Sequence, residues 1–107
     1  MRKIYLACPY TGTFQQRSSR VVAANTCAAA LMRNGNVVFS PITHGHSIAE
    51  QCGLPHDWEW WMAQCIPFLE WADVMVVVTA DGWKESRGVR AEIELAKEMG
   101  KPVEYMA

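Results

Sequence analysis

Residues 73–79, Asp-Val-Met-Val-Val-Val-Thr, are the stretch that decides the fold. The five residues between Asp73 and Thr79 are all apolar, so a strand formed here is buried on both faces. Such strands lie in the centre of parallel sheets, which carry helices on both sides. Asp73 opens the strand, at the end opposite to the one where parallel sheets bind ligands, and we interpret it as structural.

Short apolar runs alternate with stretches of helical periodicity on both sides of this strand. We predict strands at residues 3–8, 36–40, 73–79 and 103–105, and helices at 13–34, 58–71 and 86–100, with a short helix at 47–52 in the looser stretch 43–55. Asp57 is the expected N-cap of the second long helix, and Pro67 is expected to kink or restart that helix. The alternation predicts a three-layer α/β fold with a small parallel sheet of about four strands, flanked by helices.

Composition and charge narrow the class of protein. The chain has 107 residues, enough for one domain with a modest core, and we interpret residues 1–107 as a single domain. Lys and Arg total 10, Asp and Glu total 11, and the net charge of −1 provides no general attraction to nucleic acid polymers or membranes. No apolar run approaches the roughly 20 residues that span a bilayer, and the run after Met1-Arg2-Lys3 is too short for a signal peptide. We therefore expect a soluble, cytoplasmic protein.

Neither a metal nor another cofactor is predicted. The four cysteines form no Cys-x-x-Cys pair and are expected to be reduced and mostly buried. His44-x-His46, followed by Cys52 and His56, offers zinc-ligating atoms without a recognisable ligand spacing. We interpret these histidines instead as loop or phosphate-contact residues, with His44 among the predicted substrate-binding residues. The chain has no Walker loop and no Gly-x-Gly-x-x-Gly turn, which argues against nucleoside triphosphates and dinucleotides.

Glu92 interrupts an otherwise apolar helix face. At helical spacing it projects into the same sector as Val89, Ala96 and Met99. A carboxylate aimed at a core must be neutralised, paired or open to a cleft, because its desolvation costs several kcal/mol. Glu92 is therefore either a buried ion-pair partner or a pocket carboxylate with a raised pKa, suited to act as a nucleophile or acid/base. Its surroundings favour the second interpretation.

In parallel α/β sheets, ligands bind beyond the carboxyl ends of the strands. We therefore expect the site to be formed by residues 8–13, 40–46 and 79–86, which follow the predicted strands. Ser86 can cap the helix that follows, and Gly88 removes a side chain where a ligand approaches a helix N-terminus that favours anions. Capping alone also explains Ser86. Thr11 and Arg17 offer a hydroxyl and a cation for a phosphate, and Arg17 is equally well explained as a solvated surface charge.

Tyr5 lies in the first predicted strand, on the face opposite Ile4 and Leu6. As a core aromatic residue it needs no further explanation. As a site residue it brings a hydroxyl that can hold a carboxylate, which suits a neighbouring Glu92.

Three motifs, in order along nearly the whole chain, resemble the nucleoside 2-deoxyribosyltransferase superfamily, and in particular a small bacterial and phage branch of it. They are residues 4–9 (Ile-Tyr-Leu-Ala-Cys-Pro), residues 72–77 (Ala-Asp-Val-Met-Val-Val), and Ser86-x-Gly88-x-x-x-Glu92 followed by Ala96-x-x-x-Gly100-Lys101-Pro102-Val103. The resemblance implies a flavodoxin-like, deoxyribosyltransferase-like fold. It also implies that Glu92 attacks the anomeric carbon of a deoxyribosyl group and that Tyr5 positions Glu92.

The residue type at the position of Ser86 differs between two groups of enzymes in the superfamily. Transferases of the superfamily carry Asp there, whereas deoxynucleoside 5′-monophosphate N-glycosidases carry Ser near the 5′-phosphate. A departure from the family pattern is Cys65, which stands where an Asp assists the leaving base. Asp57 or His56 substitutes for that Asp, or the activity is lost.

The Trp-rich helix presents two aromatic faces. One carries Trp58, Trp61, Met62 and Cys65, and the other carries Trp60, Gln64 and Trp71. So small a domain can bury one of these faces, so we predict that the other lies at a subunit interface of a homo-oligomer, a dimer or tetramer. The resemblance agrees, since the family completes its sites between subunits. Base stacking on one of these rings is the alternative.

The sequence thus predicts an enzyme that cleaves the N-glycosidic bond of a small-molecule nucleoside or nucleoside 5′-monophosphate by hydrolysis or transfer. Glu92 and Tyr5 are the predicted catalytic residues; the predicted substrate-binding residues are Thr11, Arg17, His44, Ser86 and Gly88. Two alternatives remain: a catalytically silent nucleotide-binding or sensing module, and an oligomeric assembly subunit of the same fold.

Overall fold

The computed structural model describes residues 1–107 and contains four strands and four helices. Their order is β1 (Lys3–Ala7), α1 (Phe14–Arg33), β2 (Val37–Phe39), α2 (Pro41–Cys52), α3 (Trp58–Trp71), β3 (Val74–Val78), α4 (Arg87–Glu98) and β4 (Val103–Met106). The strands form one parallel sheet in the order β2-β1-β3-β4. The predicted α/β fold, with its four-stranded parallel sheet flanked by helices, is confirmed.

The stretch at residues 73–79 forms the predicted inner strand. Every residue of β3 is buried, and β3 pairs with β1 on one side and β4 on the other. Asp73 precedes the strand, and its Oδ2 accepts a hydrogen bond of 2.9 Å from the backbone N–H of Lys3. This carboxylate therefore joins the amino ends of two strands, as its structural interpretation requires.

Alternating residues of β1 and β3 build two separate cores on the two faces of the sheet. One core joins Ile4, Leu6 and the even-numbered valines of β3 to α1. The other joins Tyr5, Ala7 and the odd-numbered residues of β3 to α3 and α4. The two cores account for the three layers, and they place Tyr5 under the helix that carries Glu92.

The start of α2 differs from the prediction. We expected a loop after Pro41 and a short helix at residues 47–52, but the helix begins at Pro41, directly after β2. Ser40 caps it by accepting a hydrogen bond from the Thr43 N–H, and proline suits the first helical turn, where no N–H is needed. The helix α3 does not restart at Pro67, since it runs through this residue as one helix to Trp71. None of the four helices has the length and apolar character needed to cross a membrane.

Candidate active site

A cavity of about 240 Å³ lies beyond the carboxyl ends of the strands. Four segments line it: the loop after β1, one face of α2, the start of α3 with the loop before it, and the start of α4. Ser86, Gly88 and Glu92 come from the last of these segments, and Thr11 comes from the first. Parallel sheets bind ligands at the carboxyl ends of their strands. Most of the predicted site residues, namely Thr11, Ser86, Gly88 and Glu92, lie at this edge of the sheet.

Glu92 is a buried carboxyl at the inner end of this cavity, with 5% of its surface exposed. The Tyr5 hydroxyl donates a hydrogen bond to Glu92 Oε2. No Lys, Arg or His forms an ion pair with Glu92, since the four ion pairs of the chain involve other residues. Of the two interpretations of Glu92, the structure therefore supports a pocket carboxylate without a cationic partner.

Burial raises the pKa of Glu92 to about 7, whereas the Tyr5 hydroxyl and the Trp58 indole act in the opposite direction. The indole Nε1–H of Trp58 is buried and makes no hydrogen bond of normal geometry, so it stabilises the Glu92 anion only by proximity. A carboxyl with a pKa near 7 is ionised in part of the molecules at neutral pH. It can therefore exchange between the charged and neutral forms that nucleophilic or acid/base chemistry requires.

Tyr5 and Cys65 are the neutral neighbours of this carboxyl. Tyr5 is fully buried, and both burial and the Glu92 charge raise its pKa well above that of an ordinary phenol. Burial likewise raises the pKa of the Cys65 thiol to about 11. Both groups keep their protons at neutral pH, so Tyr5 acts on Glu92 as a hydrogen-bond donor and Cys65 supplies no charge.

Ser86 and Gly88 hold the start of α4 against the cavity. Ser86 is the N-cap, and its Oγ accepts a 3.2 Å hydrogen bond from the Val89 N–H. A Cβ added at Gly88 would lie only 3.1 Å from Cδ1 of Trp58, so glycine is needed for α4 to approach α3. We expected Gly88 to make room for a ligand. The structure shows that the space beside it belongs to the Trp58 side chain.

Arg17 and His44 do not line the cavity. Arg17 is bound to Glu50, at 3.0 and 3.1 Å, and to the carbonyl oxygen of Gly12 at 2.8 Å. His44 is exposed and packs against Phe39, with ring centroids 5.6 Å apart. The prediction that His44 belongs to the site is therefore corrected: His46, two residues later, is the histidine of α2 that lines the cavity.

One wall of the cavity is formed by Tyr10, His46 and His56, and we call it the imidazole wall. Tyr10 and His46 lie within the predicted site regions at residues 8–13 and 40–46, and His56 was a candidate to assist the leaving base, but their meeting in one wall was not predicted. The Tyr10 hydroxyl lies 2.7 Å from His46 Nδ1, and His56 Nε2 lies 3.0 Å from Glu50 Oε1. A signal for His46 was present, because residues 42, 45, 46 and 49 share one face of a helix that begins at Pro41, and all four line the cavity. The prediction that α2 began later concealed this face.

The chain offers no evident metal centre. No group of three or more His, Cys, Asp or Glu side chains is arranged to hold a metal ion. All four cysteines are free; Cys8, Cys27 and Cys65 are buried, and Cys52 is exposed.

Comparison with known proteins places the chain in a family. It belongs to the family described as a domain of unknown function (DUF1937), whose model matches residues 2–107. Its structure is similar to that of a 2-deoxyribosyltransferase from the psychrotolerant bacterium Bacillus psychrosaccharolyticus, with a TM-score of 0.59 and 26% sequence identity. The match covers 96% of this chain and 70% of the transferase, whose description presents it as a biocatalyst for nucleoside synthesis. No protein with a curated description matches the sequence.

Proposed function

We propose that this protein cleaves the N-glycosidic bond of a nucleoside or nucleoside 5′-monophosphate, with Glu92 as the nucleophile. The observation that carries the proposal is a buried carboxyl without a cationic partner, held by Tyr5 at the inner end of a cavity. The structural similarity to a 2-deoxyribosyltransferase supports the choice of a nucleoside as substrate. We propose that the protein acts in the cytoplasm.

In the proposed reaction, an ionised oxygen of Glu92 attacks the anomeric carbon as the bond to the base breaks. The resulting glycosyl ester is resolved by water in hydrolysis or by a second base in transfer. Tyr5 orients the carboxylate by donating to Oε2, and it leaves the other oxygen free to attack. The pKa of about 7 keeps a useful fraction of Glu92 ionised near neutral pH.

The start of α4 is the proposed site for the 5′ end of the substrate. Ser86, Arg87 and Gly88 line the cavity at the first turn of α4, where the N–H groups of Arg87 and Gly88 have no partner within the helix. The dipole of the helix and these N–H groups favour an anion. Arg87 adds a positive charge, although it is also paired with Glu59 at 2.5 Å. Thr11 contributes a hydroxyl from the loop after β1.

The second candidate function is a nucleotide-binding module without catalysis. The observation that favours it is Cys65, whose thiol has a pKa of about 11 and is a poor proton donor for a leaving base. Incubation with a panel of nucleosides and 5′-monophosphates, followed by chromatography for free base, tests both candidates. Release of free base supports the enzyme. Binding of nucleotides without any release, at high protein concentration and long incubation, supports the module.

The phosphate site predicts a preference for 5′-monophosphates over the parent nucleosides. Ser86→Asp places a negative charge at the anion-binding helix end while preserving a capping side chain. We expect this variant to bind the monophosphate roughly fivefold more weakly, because repulsion between the Asp carboxylate and the phosphate costs on the order of 1 kcal/mol in a solvated site. Its affinity for the nucleoside should stay unchanged. Calorimetry with both ligands measures this, and equal affinities of the wild-type protein for the two ligands would contradict the phosphate site.

We also propose that the protein is a homo-oligomer built from two-fold dimers, with Trp60 or Trp71 at or near an interface. Trp60 is 45% and Trp71 37% exposed, and both lie on α3. Burying a Trp stabilises by at least about 2–3 kcal/mol, so association through these rings is favourable. Light scattering at micromolar concentration should give a dimer or tetramer, and Trp60→Ala or Trp71→Ala should weaken it. A wild-type monomer would refute the proposal.

A further inference from the structure

The imidazole wall is a polar part of the cavity that the reaction outlined above does not use. Tyr10 comes from the loop after β1, His46 from α2, and His56 from the loop before α3. Glu50 does not line the cavity, but its carboxylate contacts His56 of the wall and forms an ion pair with Arg17. Three elements thus bring two imidazoles into the same cavity as Glu92.

His46 is held so that one ring nitrogen remains available. The Tyr10 hydroxyl occupies Nδ1 at 2.7 Å, and Nε2 has no partner in the chain. If neutral His46 accepts the hydrogen bond at Nδ1, it carries its proton on Nε2; the imidazolium form carries protons on both nitrogens. In both of these states Nε2–H is the donor that the chain leaves unused.

A carboxylate close to the wall compensates the charge of an imidazolium. Glu50 follows His46 by one helical turn and accepts from Arg17 Nε at 3.1 Å. Partial burial alone would raise the pKa of Glu50, but Arg17, His56 and His46 outweigh burial and lower it. Glu50 therefore remains ionised near neutral pH. His56 Nε2 lies 3.0 Å from the same carboxylate, although the geometry is not that of a hydrogen bond.

Cleavage of an N-glycosidic bond leaves an electron pair on the base, so the base leaves much faster when it receives a proton. Glu92 must be ionised to attack, and Cys65, with a pKa of about 11, holds its proton too tightly. We propose that His46 donates this proton from Nε2 and that the base is a purine, whose N7 and N3 ring nitrogens can accept it. This inference rests on the proposed function.

The protons and electrons balance over the two steps. In the first step, Glu92 forms a bond to the anomeric carbon, the C–N bond breaks, and its electron pair stays with the purine, which takes a proton from His46. In the second step, water attacks the anomeric carbon, the ester bond returns its electron pair to Glu92, and neutral His46 accepts the proton from the water. The products are the free purine and the sugar, and both side chains return to their starting states.

The test compares two substrates that differ in whether the base needs a proton, 2′-deoxyguanosine 5′-monophosphate and its 7-methyl derivative, whose base is already cationic. We expect His46→Gln to lower kcat/KM for the first by about 10²–10⁴-fold and for the second by less than about tenfold.

His44→Gln is the matched control, because His44 lies on the same helix, is exposed and does not line the cavity. It should leave both rates unchanged. Should His46→Gln fail to fold by circular dichroism, Tyr10→Phe keeps the imidazole and removes the partner at Nδ1. In the Tyr10 variant, kcat/KM for the first substrate should fall by up to about tenfold, the size typical of one hydrogen bond, and kcat/KM for the 7-methyl substrate should fall less.

Equal losses on the two substrates would overturn the role of His46, and so would a wild-type protein that releases pyrimidines and no purine. Both outcomes leave the proposed glycosidase standing. A wild-type protein that releases no base from any substrate refutes the proposed function itself, and the inference with it.

Discussion

Glu92→Gln is expected to lower base release by roughly 10⁴-fold or more, as is typical for the loss of a nucleophile, while the variant protein becomes more stable at neutral pH. The loss of activity follows because an uncharged amide does not attack the anomeric carbon. The gain in stability follows because Glu92 is 5% exposed and has no cationic partner to compensate its charge. If both effects are observed, they will identify Glu92 as a functional carboxylate that costs the fold stability.

The stability effect has a definite dependence on pH. In the unfolded chain the carboxyl has its ordinary pKa of 4.5, whereas burial raises the pKa to about 7 in the folded protein. Between these values the folded state binds more protons, so the free energy of unfolding decreases as pH rises and becomes constant above about 7. A shift of this size corresponds to roughly 3 kcal/mol at alkaline pH. Glu92→Gln should recover part of this amount at pH 8 and show little difference at pH 4.

Urea unfolding of both proteins across this pH range measures the effect. Glu94→Gln is the control, because Glu94 lies two residues later on α4 and is exposed; neither its activity nor its stability should change. A Glu92→Gln protein that loses about 3–5 kcal/mol and keeps its activity would show that Glu92 is a structural ion-pair partner after all.

The parts of the fold that local sequence determines were predictable. β3 is apolar over its whole length, which identifies a strand buried on both faces. Glu92 stands among apolar residues at helical spacing, so its inward orientation follows from periodicity alone. Tyr5 alternates with Ile4 and Leu6, which places it on the same side of the sheet as α4. These are short-range patterns, and the structure retains each of them.

The missed parts depend on contacts between distant residues. Arg17 is bound by Glu50, 33 positions away, so a cation that looked available for phosphate is already engaged. Gly88 is small because Trp58 packs against it, which spacing within α4 does not reveal. The helix face that carries His46 was missed for a local reason, since Ser40 was interpreted as the end of a strand, although Ser40 and Pro41 also begin a helix.

Tyr5→Phe is expected to lower kcat/KM by roughly 10²-fold and to move the activity to higher pH. The hydroxyl of Tyr5 donates to Glu92 Oε2 and lowers the pKa of that carboxyl against the effect of burial. Without the hydroxyl, the pKa of Glu92 rises further above 7, and a smaller fraction is ionised at neutral pH. The activity that remains should therefore increase with pH over a range where the wild-type activity has already levelled off.

The pH profile separates this positioning role from a purely structural one. Phe fits the volume of Tyr5, so we expect a loss of only about 1–2 kcal/mol in stability from the missing hydrogen bond. A structural defect would lower activity equally at every pH, whereas loss of the donor displaces the profile. Tyr105→Phe, on β4 and exposed, is the control and should change neither rate nor profile. A Tyr5→Phe enzyme with an undisplaced profile and wild-type kcat/KM would mean that Glu92 is oriented by other groups, of which the Trp58 indole is the nearest candidate.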